Sequence, residues 1–155
     1  PTAAGYLISH HQNDAFTAAG RLLAAGESVF WPRDRSLGGD EEGAGVMYIR
    51  ARPQTRAVLE KTAADLGVSF SGIASPPPGA ALKLRPVRIA LWDRYGGSSS
   101  SGWTRWLLEQ YEFEFVTLRP ADFRSPLAAK VDVVILTEDG RLPLDNSGRG
   151  RGGGR

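Results

Sequence analysis

The sequence predicts an α/β protein in which mostly parallel sheets are flanked by helices. Short apolar segments alternate with amphipathic ones along the 155 residues, a pattern typical of strands joined by crossover helices. The segment at 131–136 is apolar except for one acidic residue, as expected of a strand covered on both faces. Glycine and proline separate these segments, which places turns at their boundaries.

The first strand–helix–strand pattern lies near the amino end. Its helix is predicted from Phe16, Ala19 and Leu23, because spacings of three and four place them on one face. Asn13 precedes this helix and is of a residue type that caps helix starts. The expected elements are a strand at 5–9, a helix at 15–25 and a strand at 28–31.

A second pattern follows a polar, glycine-rich stretch at 33–45, which we expect to be an exposed loop. Pro53 suits the first turn of a helix. Gly67 can end that helix in a left-handed conformation. The expected elements are a strand at 46–49, a helix at 53–66 and a short strand at 68–70.

Three consecutive prolines at 76–78 indicate a domain boundary, since proline neither joins a strand ladder nor continues a helix. We therefore expect a small α/β segment at 1–75, a Pro-rich linker at 76–86 and a second α/β unit at 87–144. Residues 145–155 are polar and then only glycine and arginine. Such a composition predicts a disordered tail.

The second unit contains a third strand–helix–strand pattern. Three strands are few for a sheet covered on both faces, which predicts the beginning of a domain rather than a whole one. The chain starts with Pro1, which favours a fragment or a processed protein. The expected elements are strands at 87–92, 113–118 and 131–136, and a helix at 103–111.

The composition excludes several classes of function. The chain has no cysteine, so it has no disulfide, thiolate zinc ligand or cysteine nucleophile. The net charge is +2, and the arginines of 148–155 account for the excess, so the charge gives no reason to expect a nucleic-acid partner. No apolar run approaches the ~20 residues of a membrane-spanning helix, and we expect no membrane partner.

The first candidate site is the loop after the first strand, which holds both histidines of the chain. His11 and Asp14 have an H-x-x-D spacing that is typical of some metal sites. Zinc needs three or four protein ligands, and the adjacent His10 and His11 are poorly placed to chelate together. We expect helix capping by Asn13 or Asp14, and a small-ligand or domain-contact role is the alternative.

The second candidate site follows the strand at 87–92, because ligands of parallel sheets bind beyond the carboxyl ends of strands. Asp93 and Arg94 precede Gly96 and Gly97 and a serine run. A glycine-rich turn before a helix can hold an anion through backbone N–H groups. The turn lacks the lysine of a P-loop and the G-x-G-x-x-G pattern. We expect a turn with a serine N-cap, and an anion, substrate or domain contact is the alternative.

Three tryptophans surround the second loop. We expect Trp92, Trp103 and Trp106 to lie in the core, and a carbohydrate-stacking platform is the alternative if they are exposed. Trp103 and Arg105 complete the ligand or domain-contact candidates. No residue is assigned as catalytic, cofactor-binding or metal-ligating.

Two segments resemble a known family. They are R-I-A-L-W-D-R-Y-G-G at 88–97 and S-G-W-T-R-W-L-L-E at 101–109, and the segment at 5–26 extends the match. All are similar to the region after the catalytic domain of large bacterial zinc carboxypeptidase-like proteins of the carboxypeptidase A class. The resemblance implies a class I glutamine amidotransferase-like, flavodoxin-like α/β domain, truncated here and preceded by a smaller α/β segment.

The resemblance also implies where the chemistry belongs. The H-x-x-E zinc motif and the amidotransferase cysteine are absent, so we expect a non-catalytic accessory region with no cofactor of its own. Zinc and peptide hydrolysis would belong to the parent's peptidase domain, the expected partner in cis, in a periplasmic or secreted metallocarboxypeptidase. The alternatives are a module that binds a sugar or an anion, and weak RNA binding through 148–155.

Overall fold

The computed structural model describes residues 3–33 and 45–137. The chain divides into two compact units, Pro1–Pro86 with Tyr111–Phe113, and Val87–Gln110 with Glu114–Arg155. Within the described residues the fold is mixed α/β, with three α-helices and two sheets. None of these helices is long and apolar enough to cross a membrane. The predicted tail at 145–155 and most of the predicted loop at 33–45 lie outside the described residues.

The first unit is an antiparallel sheet with two helices. The sheet has the strand order β4-β1-β3-β2-β5, and every neighbouring pair is antiparallel. Its first six elements form the split β-α-β arrangement of ferredoxin-like domains, and β5 extends one edge. The elements are β1 (Gly5–Ile8), α1 (Asp14–Ala24), β2 (Val29–Pro32), β3 (Met47–Arg50), α2 (Thr55–Leu66), β4 (Ser71–Ile73) and β5 (Ala81–Lys83).

The prediction of a mostly parallel sheet is wrong for this unit. Strands β1 and β2 run in the same direction, but β3 lies between them and pairs antiparallel with both. A crossover helix joins parallel strands whether or not they are neighbours. The alternation of strand and helix along the sequence therefore does not reveal the inserted strand.

Two strands of the first unit differ from the sequence-based prediction. Strand β4 follows the predicted segment 68–70, because Val68 is buried in the core and Phe70 packs against it. Val68 and Phe70 therefore lie in the connection between α2 and β4 and do not form a strand of the sheet. Strand β5 lies inside the segment predicted as a linker, 76–86, and pairs with β2. The three prolines precede β5 and remain outside its ladder.

The core of the first unit lies between the sheet and its helices. The inward face of α1 is built from Ala15, Ala18 and Leu22, all fully buried, whereas Phe16 is 37% exposed. The predicted face is thus partly rotated, because Ala19 is buried as predicted but Leu22, not Leu23, is fully buried. The remaining buried core residues are Ile8, Ala19, Val29, Met47, Ile49, Leu59 and Val68.

The second unit is a parallel three-stranded sheet with the order β7-β6-β8. The prediction of a parallel sheet is therefore confirmed for this unit. Helix α3 begins at Ser99, earlier than the predicted residue 103. The backbone N–H groups of Ser98 and Ser101 each donate to the hydroxyl of the other serine, and the two hydroxyls are also hydrogen-bonded, which stabilises this start. The elements are β6 (Ile89–Trp92), α3 (Ser99–Gln110), β7 (Phe115–Leu118), a 3-10 helix (Pro120–Arg124) and β8 (Val133–Ile135).

The central strand of the second unit is buried on both faces, because Ala90, Leu91 and Trp92 are each at most 2% exposed. Trp92 packs edge-on against Phe123 of the 3-10 helix, with ring centroids 5.0 Å apart. Arg88 holds β6 and β8 together at their starts, because its Nε and Nη2 donate to the Asp132 carboxylate at 3.1 and 3.0 Å. This hydrogen bond raises the pKa of Arg88. This ion pair links β8 to β6, the strand that carries Asp93 of the candidate site.

Candidate functional site

The carboxyl end of β6 carries the second predicted loop. Strand β6 is central in its sheet, so the loop at 93–98 leaves the sheet between two neighbouring strands. Asp93 is the first residue after β6 and is only 5% exposed. Its backbone N–H donates to the Leu118 carbonyl at 3.1 Å, which extends the pairing with β7 by one residue. A buried carboxylate thus occupies the position at which parallel sheets bind ligands.

The Asp93 carboxylate is held from three sides. The Ser101 hydroxyl donates to Oδ1 at 2.7 Å. Arg119 Nη1 and Arg105 Nη2 lie 3.3 and 3.7 Å from Oδ2. A buried carboxylate requires such partners, because leaving it unpaired costs several kcal/mol in a low dielectric. Two guanidinium groups therefore share one carboxylate oxygen.

Arg119 is the central residue that sequence reasoning missed. Its Nη1 also donates to the backbone carbonyls of Asp93 and Arg94, at 3.3 and 2.6 Å. Its guanidinium carbon lies 5.8 Å from the centre of the Tyr95 ring. Arg119 directly follows β7, just as Asp93 directly follows the neighbouring parallel strand β6. A charged residue at the end of each strand was the sequence signal that could have identified Arg119. Recognising that signal requires knowing that β7 lies beside β6.

The two predicted glycines shape the turn between β6 and α3. Gly96 and Gly97 have φ angles of 87° and 73°, in the left-handed region that favours glycine. Two hydrogen bonds between Arg94 and Gly97 close the turn. The Arg94 Nε donates to the Gly97 carbonyl at 2.9 Å, and the Gly97 N–H donates to the Arg94 carbonyl at 3.0 Å. The glycines therefore act through the backbone path that brings Asp93 and Ser101 together.

Among the described residues, two arginines share one carboxylate at the carboxyl end of β6. Arg105 and Arg119 both lie beside the Asp93 carboxylate, whereas Asp122 accepts the Arg119 backbone N–H at 2.7 Å. The Arg105 and Arg119 side chains are 41% and 34% exposed. Among the described residues, each of these two guanidiniums has polar contacts through one terminal nitrogen only. Since a guanidinium carries five N–H donors, each of these arginines has donors beyond those used in the described contacts.

The tryptophans divide between core and surface. Trp92 is buried as predicted, but the prediction is wrong for Trp103 and Trp106, which are 68% and 51% exposed. The buried residues of helix α3 are Ser101 and Leu108. Trp103 and Trp106 therefore lie on the outer side of this helix. Their rings are edge to face, with centroids 5.9 Å apart. The exposure that a carbohydrate contact requires is therefore present.

The histidine loop belongs to the first unit and follows β1. The rings of His10 and His11 lie 4.7 Å apart. Asn13 occupies the N-cap position of α1 but makes no side-chain cap hydrogen bond, so the predicted capping bond is absent there. His10 Nδ1 is buried without a partner among the described residues. In that part of the chain no three histidine, aspartate or glutamate side chains are grouped to hold a metal ion.

The first unit also has an open groove of about 900 Å³ beside α2. Its charged side chains are paired: Arg56 Nε donates to Glu60 at 2.7 Å, which raises the pKa of Arg56. Arg52 pairs at 3.0 Å with the buried Glu27. This groove therefore lacks the unbalanced charge found at the end of β6.

No family model matches the chain, and neither the curated proteins nor the solved structures include a match. Function is therefore inferred from the Asp93 site and from the sequence pattern that builds it.

Proposed function

We propose that this chain is a non-catalytic accessory region of a zinc carboxypeptidase-like protein. Its second unit is then the first part of a flavodoxin-like, amidotransferase-like α/β domain. The segments that carry the resemblance, 88–97 and 101–109, are also those that form β6, the Asp93 turn and most of α3. This coincidence supports the proposal, because a family pattern is expected to follow the residues that build a site.

The observation that carries the proposal is the arrangement of the second sheet. Its order, β7-β6-β8, equals the order 2-1-3 with which flavodoxin-like sheets begin. Strand β8 pairs only with β6 among the described residues, and Val133 on it is 46% exposed. Apolar side chains on an unpaired edge favour a further strand at that edge.

The described residues do not fit a catalytic zinc ion. Zinc hydrolases use three protein ligands and one water, whereas the two histidines here are neighbours in one loop without a third ligand grouped beside them. We therefore assign zinc and peptide-bond hydrolysis to the parent's peptidase domain, which is the partner in cis. The present chain would contribute structure or ligand contacts to that protein.

Peptidase assays on two chains test this proposal. We expect the 155-residue chain to release no carboxy-terminal amino acid from peptides in the presence of zinc. A longer chain that includes the natural upstream segment should release it, and a chelator should abolish that activity. Chelator-sensitive turnover by the short chain, or no turnover by the long one, would contradict the proposal.

A ligand-binding module is the second candidate function. The positive charge around Asp93 favours an anion, and the exposed Trp103 and Trp106 favour a sugar. Calorimetry with a panel of glycans tests the sugar, and Trp103→Ala should remove any heat of binding. Unchanged heat in that variant would refute a sugar contact at this residue. The predicted RNA contact involves 148–155, which lies outside the described residues.

A further inference from the structure

We infer that Arg105 and Arg119, held by Asp93, form a binding site for a small oxyanion of the carboxylate or phosphate type. The inference deepens the ligand-binding candidate and rests on it, but it is independent of the carboxypeptidase relationship. The site lies at the carboxyl end of β6, between α3 and the end of β7.

The balance of charge at this edge favours an anion. An ion pair that served structure alone would need one arginine for Asp93, yet two guanidiniums lie within 4 Å of the same oxygen. Among the described residues, two guanidiniums thus share one carboxylate here, and a singly charged oxyanion would balance the second guanidinium.

The geometry of the two arginines also suits an oxyanion. Asp93 is buried and its carboxylate accepts the Ser101 hydroxyl, which fixes its position. Both guanidiniums therefore contact a carboxylate that is held in place. Both approach the same oxygen with a terminal nitrogen, which leaves the other N–H donors of each planar group for further contacts. A single guanidinium can bind a carboxylate or phosphate through two parallel hydrogen bonds. Little side-chain entropy would then be lost on binding.

The two arginines are accessible from solvent. Arg105 and Arg119 have side chains that are each about a third or more exposed, and Tyr95, which flanks Arg119, is 71% exposed. A ligand can therefore reach the donors without opening the fold.

The test is a titration of the full chain with inorganic phosphate and, separately, with acetate. Backbone amide shifts of 93–98 and the Arg105 Nε–H shift are followed by NMR, against sodium chloride at matched ionic strength. We expect saturable shifts from at least one of the two anions. The tighter of the two identifies the ligand as phosphate-like or carboxylate-like.

Variants locate the binding. Arg105→Gln should weaken binding about tenfold, as expected for the loss of a hydrogen bond between charged groups. Arg105→Lys retains the charge without the planar group and should weaken binding less. The control Arg56→Gln removes an equal charge from an exposed position in the first unit and should change the affinity by less than about twofold, since it lies outside the site.

Two results would overturn the inference. One is the absence of any saturable shift beyond that caused by chloride. The other is equal affinity in Arg105→Gln and Arg56→Gln, with both variants folded by their amide spectra. Arg105 is partly exposed and lies 3.7 Å from Asp93, so its replacement leaves the Arg119 pair to maintain the fold. A negative peptidase assay does not affect either outcome.

Discussion

Replacing Asp93 tests whether the end of β6 is organised around a buried carboxylate. Asp93→Ala removes the acceptor of the Ser101 hydroxyl and the shared partner of Arg105 and Arg119. The hydrogen bond between a charged and a neutral group contributes about 1.5–3 kcal/mol. Both arginines are partly solvated, so each ion pair adds only about 0–1 kcal/mol. We expect a loss of about 2–4 kcal/mol in the free energy of unfolding.

Asp93→Asn separates the charge from the hydrogen bond. The asparagine oxygen can still accept from Ser101, so the expected loss is limited to the two ion pairs and is about 0–2 kcal/mol. Urea unfolding followed by tryptophan fluorescence measures both variants, because Trp92, Trp103 and Trp106 all belong to the second unit. A cost below about 0.5 kcal/mol for Asp93→Ala, a value typical of surface substitutions, would refute a structural role for this carboxylate.

Three further predictions concern the first unit and the turn. Leu22→Ala should lower the free energy of unfolding by about 2–5 kcal/mol, and by more than the partly exposed Phe16→Ala, and a reversed order in urea would contradict the observed face of α1. Gly97→Ala should cost about 1 kcal/mol because of its positive φ, and a stabilised variant in thermal melts would argue against this turn. The hydrogen bond from Lys61 lowers the pKa of Asp65. The ionised Asp65 therefore stabilises the fold above the pKa that Asp65 has in the unfolded chain, and this contribution is lost as the pH falls through the pKa that Asp65 has in the folded chain. Asp65→Asn should remove that part of the acid dependence, and an unchanged acid limb in pH-dependent melts would exclude it.

The helices and most strands were predictable because their signals are local. Gly67, with a φ of 69°, ends α2 in the left-handed conformation that the sequence predicts. The order of the strands was not predictable from the same patterns. Whether β3 enters between β1 and β2 depends on pairing across the sheet, and no local periodicity records that choice. Strand β5 was missed for a related reason, since its pairing with β2 compensates for a weak three-residue signal.

The residues of the candidate site likewise include some that local sequence signals predicted and some that they did not. Asp93 and Arg94 were identified because a polar residue directly after an apolar strand marks the strand's carboxyl end. Arg119 is distant in sequence, and its role depends on β7 lying beside β6. The exposure of Trp103 was also not predictable, because apolar spacing on a helix does not show whether anything covers that face.

The claim that the second sheet is the first part of a larger one can be tested directly at β8. Hydrogen exchange of the β8 amides would be measured in this chain and in a longer natural chain that continues beyond it. We predict rapid exchange of the amides that face away from β6 in the short chain, and strong protection of the same amides in the long one. Equal exchange in the two chains would contradict the claim.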